Sequence, residues 1–145
     1  MLALLQRVTH ADVHVNKKII GEIQSGILVF LAVEREDQQK NADRLLERIL
    51  SYRVFGDEND RMNLSVKDVQ GGLLLIPQFT LAADTRSGTR PGFSKAAPPQ
   101  LGEDLFKYFV EQAQSKYSSI ATGQFGAYMQ INLCNDGPTT FLLQA

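Results

Sequence analysis

The sequence predicts an α+β fold: a curled, mostly antiparallel β-sheet or open barrel carrying two amphipathic helices. Three observations predict it. Apolar residues alternate with polar ones over residues 2–15, most cleanly at Ala11, Val13 and Val15, which is the period of a half-buried strand. Two runs of strand length, residues 27–33 and 73–76, are continuously apolar, as in strands buried on both faces. Two other stretches change to the helical period.

Taken in order, the first strand ends at Asn16-Lys17-Lys18, a plausible turn before a short strand over 19–23. Gly26 precedes the buried run 27–33. Ala42, Leu45, Leu46, Ile49 and Leu50 then recur at i, i+3, i+4, i+7 and i+8, predicting a helix over 38–52 with Asp37 as its N-cap. Residues 56–60 read as a turn, and 64–69 as a short strand or a loop. Gly71-Gly72 opens the second buried run, 73–76. Residues 82–99 are rich in Gly, Pro, Ser and Thr, a long loop of the kind that commonly carries function. A second helix follows to about Tyr117, marked by Leu101, Leu105, Phe106, Phe109, Val110 and Ala113, with Pro99 near its start where a missing N–H costs nothing. Two last strands, 127–133 and 139–143, flank Asn135-Asp136-Gly137-Pro138.

Length and composition set the class. The 145 residues suit one domain spanning 1–145, and a chain of this size buries roughly two-thirds of its surface on folding. Fifteen Lys+Arg against sixteen Asp+Glu leave a net charge of −1, which excludes a uniformly basic nucleic-acid binder while permitting a local basic patch. A single cysteine, Cys134, cannot close an internal disulfide and fits a reducing, cytoplasmic setting; next to Leu133 it reads as a buried, inert small hydrophobe. The apolar opening is cut short by Gln6-Arg7, so no signal peptide or membrane span is expected there.

Few motifs carry chemistry. His10 and His14 have the spacing of a helical metal pair, but in a strand they stand about 13 Å apart, too far to share one ion. No phosphate-cradling or dinucleotide motif is present, so neither a metal nor a cofactor is nominated. Three segments stand out. After the buried run, Pro77 should end ladder pairing, leaving the backbone N–H groups of Gln78, Phe79 and Thr80 free to meet a ligand; a plain strand-end turn is the alternative. Gly137-Pro138 is either a tight turn or a rigid probe built from main chain. Residues 86–95 combine Arg86, Arg90 and Lys95 with Phe93, a set suited to RNA phosphates and bases, or to a solvated loop.

In order and spacing, these segments resemble the D-aminoacyl-tRNA deacylases. The similarity runs through Leu5-Gln6-Arg7-Val8, the helix around 44–53, Arg61-Met62-Asn63-Leu64, Gln78-Phe79-Thr80-Leu81, Arg90-Pro91 with Phe93-Ser94-Lys95, and Asn135-Asp136-Gly137-Pro138. The resemblance implies a barrel-like homodimer that hydrolyses the ester joining a D-amino acid, or glycine, to the terminal adenosine of tRNA. It implies an active site at Gln78, Phe79 and Thr80. It also implies a chiral filter at Gly137-Pro138, with a cis bond, reaching in from the partner subunit and supported by Arg7. Two positions depart from the family pattern: Pro77 stands where Ser is usual, and Thr139 where Val is usual. Pro77 has no hydroxyl and no N–H, so no nucleophile or donor falls there. A related branch with relaxed chirality resembles this chain in having Pro before Gln, whereas Phe79 resembles the D-specific enzymes.

An aminoacyl ester is already activated, and its hydrolysis needs positioning and oxyanion stabilisation more than a strong nucleophile. The expectation is that the N–H groups of Phe79 and Thr80 hold the carbonyl oxygen while water attacks, with help from the terminal 2′-OH that the resemblance implies. A covalent route through the Thr80 hydroxyl is the competing mechanism. Outside catalysis, an RNA 3′-end binding module would use Arg86, Arg90, Phe93 and Lys95, and a dimerising scaffold would make Gly137-Pro138 merely a turn.

Overall fold

The computed structural model describes residues 1–145. Its elements are β1 (Leu2–Val15), β2 (Lys18–Ile23), β3 (Gly26–Ala32), α1 (Gln39–Ser51), β4 (Phe55–Gly56), β5 (Met62–Leu64), β6 (Gly72–Pro77), α2 (Pro99–Lys116), β7 (Ile120–Thr122) and β8 (Gln130–Gln144), with one 3-10 turn at Phe79–Ala82. The main sheet is a curled, six-stranded mixed sheet in the order β2-β1-β3-β6-β7, with β8 on the other side of β1. Pairings of β1 with β2, β3 and β8 are antiparallel, and those of β6 with β3 and β7 are parallel. A small β4–β5 hairpin stands apart.

The curl has a local cause. β1 pairs with β3 along Leu2 to Val8 and with β2 along Ala11 to Val15, so β2 and β3 form one long strand bent at Gln24-Ser25. The turn that reverses β1 into β2 has positive φ at both Asn16 (50°) and Lys17 (65°), the twist a two-residue hairpin needs. Beyond the bend β2 leans back toward β7. A Cβ on Gly26 would fall 2.0 Å from the Gly72 carbonyl oxygen, so only glycine lets the two backbones approach this closely.

Parity along the strands divides the core in two. Ala3, Leu5, Ile27, Val29, Leu31, Leu73 and Leu75 face α1 and α2, where Leu45, Leu46, Ile49 and Phe109 meet them. Val8, Ala11, Val13, Leu28, Leu74 and Ile76 fill the concave side. β3 and β6 are therefore covered on both faces, as their unbroken apolar runs imply. The Tyr108 hydroxyl donates to Asp43 at 3.0 Å and ties the helices together.

Several expectations are corrected. Asp37 does not cap α1; Gln38 occupies that place and its N–H donates to the Asn41 side chain. Asp37 is instead buried against the Met1 ammonium at 2.6 Å and accepts the Glu34 N–H at 2.6 Å. Residues 65–70 form a turn held by Asp68 accepting from Ser65, with Val66 buried beneath it, rather than a strand. β7 answers no sequence signal we read, being only three half-buried residues long. The two C-terminal strands are one strand interrupted by a bulge. Cys134 is exposed, not buried: it follows Leu133 on a strand, so the pleat turns it to the opposite face, across from His10.

Candidate active site

Strand β3 carries a distinct feature at each end. At its Leu31 end, β6 continues in register through Pro77, and the next N–H, that of Gln78, donates to the Leu31 carbonyl at 2.7 Å. Pro77 therefore does not end the ladder; one more bond forms beyond it, and the Gln78 N–H is not free. The chain then closes a single 3-10 turn in which Leu81 donates to the Gln78 carbonyl and Ala83 to the Thr80 carbonyl, both at 3.1 Å. The first donors of such a turn have no partner within it, and the N–H groups of Phe79 and Thr80 donate to no carbonyl or side chain of the protein. The Gln78 amide nitrogen donates to the Thr80 hydroxyl oxygen, which fixes both side chains on one side of the turn.

This turn borders a cleft of about 610 Å³. Leu31, Val33 and Pro77 form one wall, Ala97, Pro99, Gly102 and Phe106 a second, and the 125–131 segment the third. The Phe125 ring packs beside Phe106 with centroids 6.4 Å apart. Gly123 lets that segment lie against the end of β6, since a Cβ there would be 2.8 Å from Met129 Sδ and 3.0 Å from Ile76. Residues 123–126 carry no expectation from the sequence, and 127–129, expected in the last strands, lie before β8 begins at Gln130. The signal was available: glycines at 123 and 126 around Phe125 mark a punctuated connection next to apolar side chains.

The basic loop is adjacent. Phe93 stacks obliquely on Phe79 with centroids 5.3 Å apart. Asp84 and Gly92 exchange backbone bonds of 2.7 and 3.0 Å, which close the loop. Arg86 folds back on Asp84, donating from Nε at 2.8 Å and from its terminal nitrogen. That fork holds the Asp84 carboxyl well below the ordinary carboxylate range and raises Arg86 further. Arg86 is thus committed within the protein, whereas Arg90 and Lys95 are exposed and form no ion pair; Lys95 acts on Asp84 only at longer range.

At the Ile27 end of β3 stands Arg7 of β1, and opposite it on β8 is the bulge. Gln6 pairs with Thr140 and Val8 with Asn135, so Arg7 alone faces residues 136–139. The Gly137–Pro138 peptide is cis. Arg7 donates from a terminal nitrogen to the Val54 carbonyl at 2.6 Å, and its Nε lies 2.9 Å from Asp136 Oδ2, at an oblique angle. The Asn135 amide donates to the carbonyls of Arg7 and Thr139, each at 3.1 Å, and closes the base of the bulge. Gly137 and Pro138 are exposed, and Thr139 is 1% exposed. A second cleft, about 700 Å³ and more polar, lies here between Arg7, Gln24, Gln70, Asp136 and Pro138.

Of the residues singled out in the sequence, Gln78, Phe79, Thr80 and Phe93 therefore gather at one end, with Arg90 and Lys95 on the neighbouring loop. Arg7, Gly137 and Pro138 gather at the other. The four-residue span of β3 between them is about 13 Å of strand. One chain does not bring both groups to one site.

The family model for D-Tyr-tRNA(Tyr) deacylase matches residues 4–144. The chain belongs to this family. It is 60% identical over 144 residues to the D-aminoacyl-tRNA deacylase of Pseudomonas putida strain W619, covering 99% of each chain. It is 57% identical over 145 residues to that of Stutzerimonas stutzeri strain A1501, covering all of both. Among solved structures, it superimposes on one described as c-Myc DNA Unwinding Element Binding Protein with a TM-score of 0.95 at 40% identity, covering 100% of this chain and 99% of the other. A structure of a probable eukaryotic D-amino acid tRNA deacylase shares the fold, with a TM-score of 0.87 at 15% identity over 99% and 98% of the two chains.

Proposed function

We propose that this deacylase-family chain, acting as one domain, hydrolyses the ester between a D-amino acid and tRNA at the turn of Gln78, Phe79 and Thr80. The observation that carries the placement is the pair of uncommitted N–H groups, Phe79 and Thr80, in a turn whose Gln78 and Phe79 line an apolar cleft. Donors aimed where negative charge develops stabilise a tetrahedral intermediate without reorganising. The cleft has the size of a small-ligand pocket and takes the terminal adenosine, its base against the apolar walls. Water, oriented with the help of the terminal 2′-OH, attacks the carbonyl carbon; the ester oxygen leaves with the proton, releasing tRNA and the free D-amino acid. In this scheme the Thr80 hydroxyl, already accepting from Gln78, orients the turn and forms no acyl-enzyme.

Selectivity comes from a second copy of the chain. The Gly137–Pro138 bulge stands at the far end of β3 from its own reacting turn, so a homodimer in which each bulge reaches the partner's turn unites the two groups. A main-chain probe there excludes an L side chain and makes no demand on a D side chain; glycine, with nothing to exclude, is accepted. The one exposed cysteine, with no disulfide partner, suits the reducing cytoplasm where charged tRNA is found.

Matched D- and L-tyrosyl-tRNA, offered to the parent, Pro138→Ala and Thr80→Ala, test this reading. The parent hydrolyses the D-ester and spares the L-ester, and Pro138→Ala narrows that difference by tenfold or more. Thr80→Ala retains turnover within about tenfold; a trapped acyl-enzyme on Thr80 would replace the water mechanism. Equal hydrolysis of both esters by the parent would remove the filter and favour the relaxed reading that Pro77 brings.

A further inference from the structure

Four aromatic side chains of this molecule are exposed: Phe79, Phe93, Tyr128 and Phe141. Three of them share one place. Phe79 lies on the cleft, Phe93 stacks on it at 5.3 Å, and Tyr128 lines the same cleft from the third wall. Tyr128 is 100% exposed; its hydroxyl makes no hydrogen bond within the protein and its ring meets no other ring. Its neighbours are anchored. The Gln124 N–H meets Met129 Sδ at 3.4 Å, Phe125 packs on Phe106, and Gly123 seats the segment against β6. A segment packed against β6 and Phe106 thus presents a large ring that stands at the mouth of the cleft and makes no hydrogen bond or ring contact within the protein.

We infer that Tyr128 is a substrate-positioning residue whose ring stacks on the nucleotide immediately preceding the terminal adenosine, with Arg90 and Lys95 holding the phosphates of that unpaired 3′ end. This rests on the assignment of the cleft to the terminal adenosine. Once that nucleoside fills an apolar cleft, the strand must leave through its mouth, where the rings stand. Every base offers a π-face, so stacking grips an unpaired strand without reading its sequence, which suits an enzyme that meets many tRNAs. The charges agree: the two free cations of the adjacent loop have no carboxylate of their own, and the one carboxylate there, Asp84, is already neutralised by Arg86.

The test compares two esters, D-tyrosyl-adenosine and a dinucleotide ester with one cytidine added on the 5′ side, by KM and kcat. In the parent and in Tyr128→Phe, the longer ester has the lower KM by roughly 5- to 100-fold, the range of base–aromatic stacking. In Tyr128→Ala that ratio collapses toward one, with kcat for the two esters remaining equal. Three results overturn the inference: a ratio preserved in Tyr128→Ala, a ratio near one in the parent, or a Tyr128→Ala protein whose sedimentation mass differs from the parent's, which would make the ring an interface residue. The underlying cleft assignment fails differently, with the parent hydrolysing D-tyrosyl-tRNA but neither short ester at any concentration.

Discussion

At the Leu31 end of β3 the chain leaves groups uncommitted: two backbone N–H donors, two cations and three exposed rings. At the Ile27 end the bulge is tied to the body of the protein by Arg7 and Asn135, and of the buried polar side-chain atoms only the Arg7 Nε and the Thr139 hydroxyl are left without a hydrogen-bond partner. Arg7 reaches Val54 and Asp136, Asn135 spans the bulge, and Thr139 is buried under it. The contrast teaches how the work is divided. On the proposed mechanism the turn needs vacant donors, because its partners arrive with the substrate. On the same proposal the bulge selects by exclusion and needs rigidity, because a yielding wall excludes nothing.

Removing Arg7 should break the comparison most severely. Arg7→Ala leaves the Val54 carbonyl without its donor and Asp136 without its ion-pair partner, and the expected cost is about 1–3 kcal/mol in urea unfolding. On the proposed mechanism, L-tyrosyl-tRNA hydrolysis rises while D-tyrosyl-tRNA hydrolysis stays within a few-fold. Arg7→Lys should rescue little, since one ammonium does not reproduce a planar guanidinium that donates to Val54 while lying beside Asp136. Unchanged stability together with unchanged selectivity would show that Asn135 alone holds the bulge.

A smaller change should sharpen the comparison. The Thr139 hydroxyl is buried and finds no partner within the protein. Thr139→Val keeps the shape and removes the unsatisfied group, so it should stabilise by about 1 kcal/mol and raise Tm by roughly 2–5 °C. A lowered Tm would mean that the hydroxyl is bonded in solution.

The smallest effect belongs to the basic loop. Asp84→Asn should leave Tm at neutral pH nearly unchanged while speeding proteolysis within residues 85–91, because the fork to Arg86 holds only that loop. The sign with pH follows from the depressed carboxyl. Its stabilisation is complete above the ordinary value of 3.8 and drains as pH falls through the lower value it has in the fold. Loop protection should therefore persist at pH 4 and fall away in stronger acid. Protection lost already at pH 5 would mean that the pair does not hold the loop.

Strand and helix identities were legible because they depend on periodicity within a few turns of chain. The helix expected over 38–52 is Gln39–Ser51, and the uninterrupted runs at 27–33 and 73–76 are indeed strands covered on both faces. Local chemistry misled where a distant partner competed. Asp37 has a capping side chain, but the Met1 ammonium takes it. Asn135-Asp136-Gly137-Pro138 reads as a turn, yet β1 pairs on both sides of it and keeps one strand running past a bulge. Pro77 reads as a ladder's end, yet Leu31 accepts one more bond beyond it.

The sequence by itself determined the α+β class, the two helices, the turn of Gln78, Phe79 and Thr80 as a place of interest and the family to which the chain belongs, because each rests on local period or on an ordered string of residues. The tertiary structure decided which of those residues meet. It placed Gln78, Phe79 and Thr80 with Phe93 and the unforeseen Tyr128 at one end of β3, and Arg7 with Gly137–Pro138 at the other. That partition follows from the bend at Gln24-Ser25, set by the pairing of β1 with β2 and β3, and from the register of β8 on β1, which joins segments more than a hundred residues apart. No local pattern encodes them.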